Sequence, residues 1–307
     1  MRIAVPEPIH DDAMALLRAE AEVADWTDPH VRDWSGFDGV IVRTIKVDAA
    51  AMEASSLKVV GSHGVGVDNI DLEAAGRCGI AVVNVPNESA RTVAELYFTL
   101  MLAAARKIVP GLDAVREDRA VRTAPGQRGM DLFGKNLGII GYGNIGRAVA
   151  RIGAMGFGMK VHVWSRSGSH GEGRECASLN ELMAAADVIC VCVPLTDATR
   201  NLIGAAELGL CRPSAILVNC SRGGVVNEEA LCHALMSGRL FGAGADVFCE
   251  EPPKASNPLL KCPNFVASQH IGINTDECLS RIGCSVARDV LAVLKGKKPQ
   301  HPYLWQN

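Results

Sequence analysis

Three glycines with the spacing of a phosphate-binding turn, Gly141, Gly143 and Gly146, follow an apolar segment at residues 137–140. In such a turn the first glycine permits the tight bend, the second lets the backbone approach a pyrophosphate, and the third lets helix and strand pack closely. The helix that begins there offers unpaired N–H groups to the anion. The turn therefore predicts a cradle for the phosphates of a dinucleotide, and we expect Asn144 and Ile145 to belong to it.

The segments around this turn support that interpretation. Residues 147–152 continue with a helical pattern, and a strand-like segment follows at residues 160–164. A lone glycine motif is a weak signal, but a strand, a turn, a helix and a second strand in this order are typical of a Rossmann unit. The alternative is a glycine-rich loop in another kind of α/β protein.

The composition is that of an ordinary soluble enzyme. The chain has 307 residues, 48% hydrophobic and 21% charged, with a net charge of −3. That length allows two domains with separate cores. A slightly acidic chain without a basic run is not expected to bind nucleic acid. No apolar run approaches the roughly 20 residues of a membrane span, and residues 1–6 lack a signal-peptide core, so we expect a cytoplasmic protein without membrane contact.

The cysteines do not suggest a metal or disulfide framework. There are eleven, an odd number, and the chain shows no secretion signal, which argues for reduced thiols. Cys190 and Cys192 alternate on one predicted strand, but no second pair is spaced to complete a zinc site. We therefore expect no metal.

Short apolar strands alternate with helical segments in two series. The first series predicts strands near residues 3–5, 39–42, 57–60 and 80–83, with a helix at 11–21. The second predicts strands from residue 137, at 161, and at 188–193, 216–219, 242–247 and 265–268. Two long helices are predicted at residues 89–109 and 275–294, and we expect the second to return to the first domain.

This alternation predicts an α/β fold with two doubly wound parallel sheets, of Rossmann and flavodoxin type, with a cleft between them. We place a flavodoxin-like, substrate-binding domain at residues 1–90 plus 275–307. The dinucleotide-binding Rossmann domain occupies residues 91–274.

Chemically useful side chains follow three of the predicted strands. Residues 218–224 contain Arg222, residues 245–253 contain Asp246 and Glu251, and residues 267–272 contain His270. Ligand sites in open parallel sheets lie beyond the carboxyl ends of strands, so the chemistry is expected there.

Together with the glycine turn, these segments resemble the D-2-hydroxyacid dehydrogenase family. The resemblance covers nearly the whole chain and includes residues 63–71 and 91–95. It implies that Arg222 binds the substrate's carboxylate and keto oxygen, that His270 donates a proton to that oxygen, and that Glu251, which directly precedes a proline, holds the histidine. Glu250 is then expected to be solvated.

The chemistry of these side chains suits such roles. A guanidinium can present two donors to a 2-oxoacid and polarise its carbonyl. A carboxylate beside His270 favours the imidazolium, which can donate a proton during reduction. The alternatives are a structural histidine, a surface ion pair for Arg222, and a capping or surface carboxylate for Glu251.

The resemblance also implies a wider binding set. The loop of Gly64, Val65 and Gly66 would present N–H groups to the substrate carboxylate, and Arg43 would line the substrate pocket. The cofactor would be contacted by Thr92, Val193, Pro194, Thr196, Asp246 and Gly272. A plain turn at the glycine loop, and helix capping or turn formation by the cofactor residues, are the alternatives.

The end of the second Rossmann strand favours NADP(H) over NAD(H). An NAD enzyme normally has an acidic residue there, whereas this chain has Ser165, Arg166 and Ser167. Without the carboxylate a 2′-phosphate is not repelled, and the arginine and serines can bind it. Use of NAD(H) is the alternative. Because arginine follows an acid in many NAD-preferring relatives too, Ser165 and not Arg166 is then the residue that discriminates between the two cofactors.

We therefore expect an enzyme that reduces a small 2-oxoacid, such as glyoxylate or hydroxypyruvate, to the D-2-hydroxyacid with NADPH. One alternative is an NAD-dependent D-3-phosphoglycerate dehydrogenase without a regulatory domain, and a remote one is a dinucleotide-sensing, corepressor-like binding protein. The resemblance also implies a homodimer, with contacts in the helix from Ser89 and the segment after Val109. Tyr303 and Trp305 in the tail are interpreted as packing residues or as contacts with a partner.

Overall fold

The computed structural model describes residues 1–118, 128–169 and 171–304. The chain divides into two compact units, one formed by Met1–Ser89 with Ile273–Asn307 and the other by Ala90–Gly272. We call them unit 1 and unit 2. Trp305 and part of the segment after Val109 lie outside the described residues.

Unit 1 is built on one six-stranded sheet. Its strands are β1 (Arg2–Val5), β2 (Glu22–Asp25), β3 (Gly39–Val42), β4 (Val59–Ser62), β5 (Ala81–Val83) and β13 (Pro302–Leu304). Its α-helices are α1 (Asp11–Arg18), α2 (Ala49–Glu53), α3 (Leu72–Arg77) and α10 (Asp276–Leu294). The strand order is β13-β5-β4-β3-β1-β2, and every pairing is parallel except that of β13 with β5.

Helix α10 covers one face of this sheet. Thr275 caps it through a bond from the Cys278 N–H at 3.2 Å. Its apolar face lies so close to β4 that a Cβ on Gly61 would come within 2.8 Å of Val286 and Val290. A glycine at this position therefore allows the helix to approach the sheet.

Unit 2 is built on a seven-stranded parallel sheet. Its strands are β6 (Asn136–Ile140), β7 (Lys160–Trp164), β8 (Arg174–Glu175), β9 (Val188–Val191), β10 (Ile216–Asn219), β11 (Gly242–Ala245) and β12 (Phe265–Ala267). Its α-helices are α4 (Ala90–Ala105), α5 (Ile108–Arg116), α6 (Asn144–Phe157), α7 (Leu179–Ala185), α8 (Ala205–Leu210) and α9 (Glu228–Met236). Short 3₁₀ helices lie at Trp34–Gly36 in unit 1 and at Gly223–Val225 and Pro258–Lys261 in unit 2.

The strand order of unit 2 is β12-β11-β10-β9-β6-β7-β8. The chain starts at β6, adds β7 and β8 on one side, and then returns to add β9 to β12 on the other. This is the doubly wound Rossmann arrangement, in which a crevice opens between the first strand and the strand that reverses the order. The glycine turn follows β6 at this crevice.

The structure differs from the sequence-based elements in a few places. The helix predicted over residues 89–109 ends at Ala105, and α5 begins at Ile108. Between them Lys107 adopts a left-handed conformation with φ of 51°, which no α-helix can contain. The sequence also did not reveal β2, β8 or β13, and α1 ends at Arg18 instead of continuing to residue 21.

Among the described residues, no helix is both long enough and apolar enough to cross a membrane. The same residues contain no group of three or more His, Cys, Asp or Glu side chains that could hold a metal ion.

Candidate active site

Adjacent parallel strands bring the three chemically important loops of unit 2 side by side. Strands β10, β11 and β12 are neighbours in the sheet, and the loops that carry Arg222, Glu251 and His270 follow them in that order. Because the strands are parallel, all three loops leave the same edge of the sheet. The fold therefore gathers these side chains within one unit.

The turn that presents Arg222 is shaped by Asn219, the last residue of β10. The Asn219 Nδ2 donates to the Arg222 carbonyl at 2.9 Å, and its Oδ1 accepts from the N–H and hydroxyl of Ser221 at 3.0 and 2.7 Å. Arg222 is partly buried, and its guanidinium donates to the Ser221 carbonyl at 2.8 Å. A side-chain amide thus fixes the backbone from which the guanidinium extends.

Gly223 lets this turn press against the loop that follows β11. A Cβ at this position would lie 2.0 Å from the carbonyl carbon of Phe248 and 2.4 Å from the Cys249 nitrogen. These are backbone atoms that cannot move aside, so only glycine permits the approach. The result is that the Arg222 turn and the Glu251 loop are held against each other.

Glu251 is the glutamate that meets His270. Its Oε2 lies 2.6 Å from the His270 Nδ1, and its Oε1 accepts from the Phe248 N–H at 3.0 Å. The peptide bond from Glu251 to Pro252 is cis. The neighbouring Glu250 is exposed and pairs with Lys254 at 2.9 Å. The structure therefore places Glu251, and not Glu250, in contact with the histidine.

His270 occupies a strained backbone position. Its φ is 56°, a left-handed conformation that costs a non-glycine residue about 1–3 kcal/mol. The His270 N–H donates to the Asp246 carbonyl at 2.8 Å, which helps to hold this conformation. The ring is half exposed, with a side-chain exposure of 50%. The Nδ1 therefore faces Glu251 while the ring remains accessible.

Asp246 organises the loop around His270. This carboxylate is 1% exposed and accepts from the Ser268 hydroxyl at 2.6 Å and from the N–H groups of Ile271 and Gly272 at 2.8 and 2.9 Å. Its two oxygens are thus engaged by the loop itself. The turn-forming role considered for Asp246 is present in this structure, and its contact with a cofactor stays a prediction.

The electrostatics link the three side chains. The hydrogen bond with Glu251 raises the pKa of His270, helped by the charges of Glu251 and Asp246 and opposed by burial and by Arg222. Burial alone would raise the pKa of Glu251, but the bonds from His270 and Phe248 and the charges of His270 and Arg222 outweigh it, so this pKa is lowered. An imidazolium beside a carboxylate is therefore favoured, with the Arg222 charge close enough to act on both.

Tyr97 is a buried link that the sequence did not reveal. Its hydroxyl donates to the Val191 carbonyl at the end of β9 and accepts from the Cys220 N–H, at 3.2 Å, just after β10. Burial raises the pKa of Tyr97 well above its ordinary value, so the group stays a neutral phenol. Helix α4 thereby ties together two strand ends at the edge where the loops leave.

The glycine turn has the geometry of a dinucleotide cradle. Gly141 has a φ of 93°, and a Cβ there would lie 2.7 Å from the Cys192 carbonyl. A Cβ on Gly146 would lie 2.3 Å from the Gly141 carbonyl, whereas at Gly143 no atom lies within 4 Å. The first and third glycines are therefore needed for packing and the second leaves room for a ligand, as a bound pyrophosphate requires.

The other predicted cofactor residues also belong to unit 2. Gly143 is the N-cap of α6, so Asn144 and Ile145 form its first turn. The segment with Val193, Pro194 and Thr196 follows β9, beside β6, and the Cβ position of Gly141 is 2.7 Å from Val193. Thr92 is buried in the first turn of α4, and Gly272 packs against Val93 of the same helix.

The loop after β7 carries Ser165, Arg166 and Ser167. The Ser165 hydroxyl donates to the Gly168 carbonyl at 2.9 Å and lies 3.5 Å from the Ser167 hydroxyl, and Arg166 is exposed. A carboxylate does approach the far end of this loop, because Glu175 accepts from the Ser169 N–H at 3.4 Å. The position that directly follows β7, however, is a serine.

The remaining predicted residues lie in unit 1 at the carboxyl ends of β3 and β4. Arg43 donates to the Pro8 carbonyl at 2.9 Å, and its own N–H is held by Glu7 at 2.6 Å. Gly64, Val65 and Gly66 follow β4, where the Ser62 hydroxyl donates to the Gly66 carbonyl at 2.7 Å. Their binding of a substrate carboxylate stays a prediction.

Glu7 was not identified from the sequence, yet it shapes the Arg43 loop. Its carboxylate accepts from the N–H groups of Arg43, Thr44 and Ile45 and from the Thr44 hydroxyl. Burial opposes ionisation, but these bonds outweigh it and lower the pKa of Glu7. Its only sequence signal was an acidic residue two positions after an apolar strand.

The comparisons with known proteins bear on the family of this chain and on its fold. The family model described as the D-isomer specific 2-hydroxyacid dehydrogenase NAD-binding domain matches residues 98–272, which is more than half of the chain. This chain belongs to that family. The resemblance inferred from the sequence and the α/β fold with two parallel-sheet domains are thus confirmed.

Three relatives of the D-2-hydroxyacid dehydrogenase family illustrate the similarity. A glyoxylate reductase of Thermococcus litoralis is 37% identical over 97% of this chain and 95% of its own. A D-3-phosphoglycerate dehydrogenase of Methanocaldococcus jannaschii is 40% identical over 97% of this chain, but the chain spans only 58% of that protein. The crystal structure of an NADPH-dependent glyoxylate/hydroxypyruvate reductase from Sinorhizobium meliloti, in complex with citrate, superposes with a TM-score of 0.88 at 28% identity, covering 100% of this chain and 99% of that one.

Proposed function

We propose that this protein reduces a small 2-oxoacid of the glyoxylate or hydroxypyruvate type to the D-2-hydroxyacid, with NADPH as the reductant. One observation carries the proposal: the His270 ring is 2.6 Å from the Glu251 carboxylate, with the Arg222 charge acting on both. This grouping lies in the same unit as a turn that fits a dinucleotide. The names of the glyoxylate and hydroxypyruvate reductase relatives support the substrate class.

In this reaction a bound nicotinamide would supply the hydride to the carbonyl carbon. Arg222 would bind the oxoacid through its planar guanidinium and stabilise the negative charge that develops on the keto oxygen. His270 would protonate that oxygen from Nε2, because its Nδ1 is engaged by Glu251. Glu251 would keep the ring oriented and protonated.

The turn of Gly141, Gly143 and Gly146 would hold the cofactor's pyrophosphate. The residues after β7 support NADP(H) as the preferred form, because a serine stands where a ribose-binding carboxylate would repel a 2′-phosphate. The exposed Arg166 beside it offers a charged donor. NAD(H) is the alternative cofactor, and the ratio of kcat/KM with NADPH to kcat/KM with NADH decides between the two.

The decisive experiment is a steady-state panel in which kcat/KM is measured with NADPH and with NADH. The oxoacids are glyoxylate, hydroxypyruvate, pyruvate, phenylpyruvate and 3-phosphohydroxypyruvate. The proposal requires the highest efficiency with glyoxylate or hydroxypyruvate and with NADPH. Comparable efficiency with NADH and NADPH would contradict the cofactor preference.

A D-3-phosphoglycerate dehydrogenase is the second candidate. The Methanocaldococcus relative with that name, at 40% identity, favours it. It predicts that 3-phosphohydroxypyruvate is reduced most efficiently in the same panel. A corepressor-like role would be indicated by tight dinucleotide binding without turnover of any oxoacid.

We also propose that the protein is a homodimer that uses α5. This helix exposes Ile108, Leu112 and Val115, which recur along one face with exposures of 56%, 45% and 61%. Burial of such a stripe against a second copy would remove apolar surface from water. A monomeric mass in sedimentation equilibrium would refute this proposal.

A further inference from the structure

Two cysteine side chains of unit 2 touch, although neither takes part in the proposed reaction. Cys232 lies in the middle of α9, and Cys262 is the residue that ends the 3₁₀ helix Pro258–Lys261. Their Sγ atoms are 3.2 Å apart, and both thiols are free. Thirty residues separate them along the chain, so the fold creates this contact.

We propose that Cys232 and Cys262 form an oxidation site, in which a peroxide converts the two thiols into an intramolecular disulfide. The pair differs from an accidental surface contact, because Cys262 is 8% exposed and packs in the hydrophobic core of unit 2. Cys232 is partly buried against the same core. A small oxidant therefore meets Cys232 first, with Cys262 already in contact behind it.

The chemistry balances with hydrogen peroxide as the oxidant. The O–O bond breaks as the Cys232 sulfur takes one oxygen to become a sulfenic acid, and the other oxygen leaves as water. The Cys262 sulfur then attacks the Cys232 sulfur, the S–S bond forms, and the hydroxyl leaves with the Cys262 proton as a second water. Two electrons have passed from the two sulfurs to the peroxide.

Reactivity should be slow at neutral pH. Burial and the adjacent Cys232 thiol raise the pKa of Cys262 to about 12, so Cys262 rests as a thiol and the thiolate that attacks the sulfenic acid is scarce. The rate of disulfide formation is therefore expected to rise with pH.

The crosslink would reinforce a connection that already exists. One turn before Cys232, Glu228 accepts from the Cys249 N–H at 2.6 Å and from the Asn257 Nδ2 at 3.0 Å. Glu228 and Cys232 are four residues apart and so lie on the same face of α9. Glu228 and Cys232 both attach α9 to residues 249–262, the segment that carries Glu251. Oxidation would make the contact between Cys232 and Cys262 covalent.

The test uses the full chain in the variant C78S/C249S, which removes the two exposed thiols. The protein is treated with hydrogen peroxide at pH 8, quenched with catalase, alkylated with N-ethylmaleimide and digested without reductant. We expect the Cys232 and Cys262 peptides to be recovered joined and two hydrogens lighter than their sum, and separate again after dithiothreitol. The thermal midpoint should rise in the oxidised form, because the crosslink restricts the unfolded chain.

The matched control adds C262S to that variant. Cys232 should then stop at the sulfenic acid, which dimedone traps, and no thermal shift should follow. If C262S does not fold, C232S at the more exposed position serves, with Cys262 expected to remain a thiol. Recovery of both peptides as alkylated thiols, under peroxide that oxidises Cys78 and Cys249 in the unmodified protein, would overturn the proposal, as would crosslinks to other cysteines.

Discussion

The Nδ1 atom of His270 and the Oε2 atom of Glu251 lie 2.6 Å apart, and this contact shifts the pKa of both residues. It raises the pKa of the imidazole and lowers that of the carboxyl, against the opposing effect of burial. The ion pair is therefore favoured over the neutral pair from the lowered pKa of Glu251 to the raised pKa of His270. The contribution of this ion pair to stability is lost as the pH falls through the pKa of Glu251 or rises through the pKa of His270.

This relationship predicts the pH dependence of reduction. In the proposed mechanism His270 acts in its protonated form, so kcat/KM should fall as the pH rises through its raised pKa. Glu251→Gln removes the main cause of that shift, so the alkaline limb should move to lower pH. The matched control is Glu250→Gln, which alters only an exposed ion pair with Lys254. A limb that stays in place in Glu251→Gln, measured by kcat/KM against pH, would contradict the role of Glu251.

Arg222 is predicted to act on the developing charge of the substrate. Arg222→Lys keeps the charge but loses the planar pair of donors, so kcat/KM should fall by about 100- to 1,000-fold. Dinucleotide affinity, measured by quenching of protein fluorescence, should change little. Arg77→Lys, in an exposed ion pair with Glu73, should be neutral. Equal losses in dinucleotide affinity and turnover would point to a general structural role.

The glycines of the cradle predict opposite kinds of defect. Gly143→Ala should fold normally, because no atom lies within 4 Å of the new methyl group. It should weaken dinucleotide binding by about tenfold or more, equal to at least about 1.4 kcal/mol. Gly146→Ala places its methyl 2.3 Å from the Gly141 carbonyl and should lower stability by about 1–3 kcal/mol. Calorimetric titration and thermal unfolding of both variants separate these effects. A Gly143→Ala variant with unchanged affinity would exclude this turn as the phosphate site.

The loop after β7 predicts a change of cofactor. Ser165→Asp should lower kcat/KM with NADPH and raise it with NADH, since its carboxylate repels a 2′-phosphate and can accept from the ribose hydroxyls. Arg166→Gln should lower only the NADPH efficiency, by roughly 10- to 100-fold for one charge-assisted hydrogen bond. The ratio of the two efficiencies is the readout. If neither variant changes this ratio, the loop after β7 does not bind the 2′-phosphate.

The sequence predicted the parts of the site that depend on local order. The turn from β6 into α6 was predictable because each glycine has a position-specific task within six residues. The loops of Arg222, Glu251 and His270 could be placed because each directly follows a strand of apolar residues. The pairing of Glu251 with His270 came from the resemblance, and the distance of 2.6 Å now gives it a physical basis.

What could not be predicted depends on contacts between distant parts of the chain. Tyr97 and Cys220 are 123 residues apart, and Glu7 reaches a loop 36 residues away. Such contacts follow from strand order and not from local spacing. The break between α4 and α5 at Lys107 had one local signal in the sequence. Pro110 fits only the first turn of a helix, so it indicates that α5 is a separate helix.

Two edge strands, β8 and β13, escaped detection for a related reason. Strand β8 has two exposed residues and β13 begins with a proline, so neither shows an apolar alternation. Asp289 of α10 positions the segment before β13 by accepting from the N–H groups of Gln300 and His301 at 2.6 and 3.1 Å. A buried carboxylate, and not strand propensity, places this last strand.

The position of α10 has a consequence during synthesis on the ribosome. Unit 2 is one continuous segment, but unit 1 needs α10, which follows Ser89 by roughly 200 residues of translation. At about 5–20 residues per second, the nascent sheet of β1 to β5 waits roughly ten to forty seconds for its covering helix. Throughout that interval the apolar face later met by Val286 and Val290 lacks the helix that covers it in the folded protein.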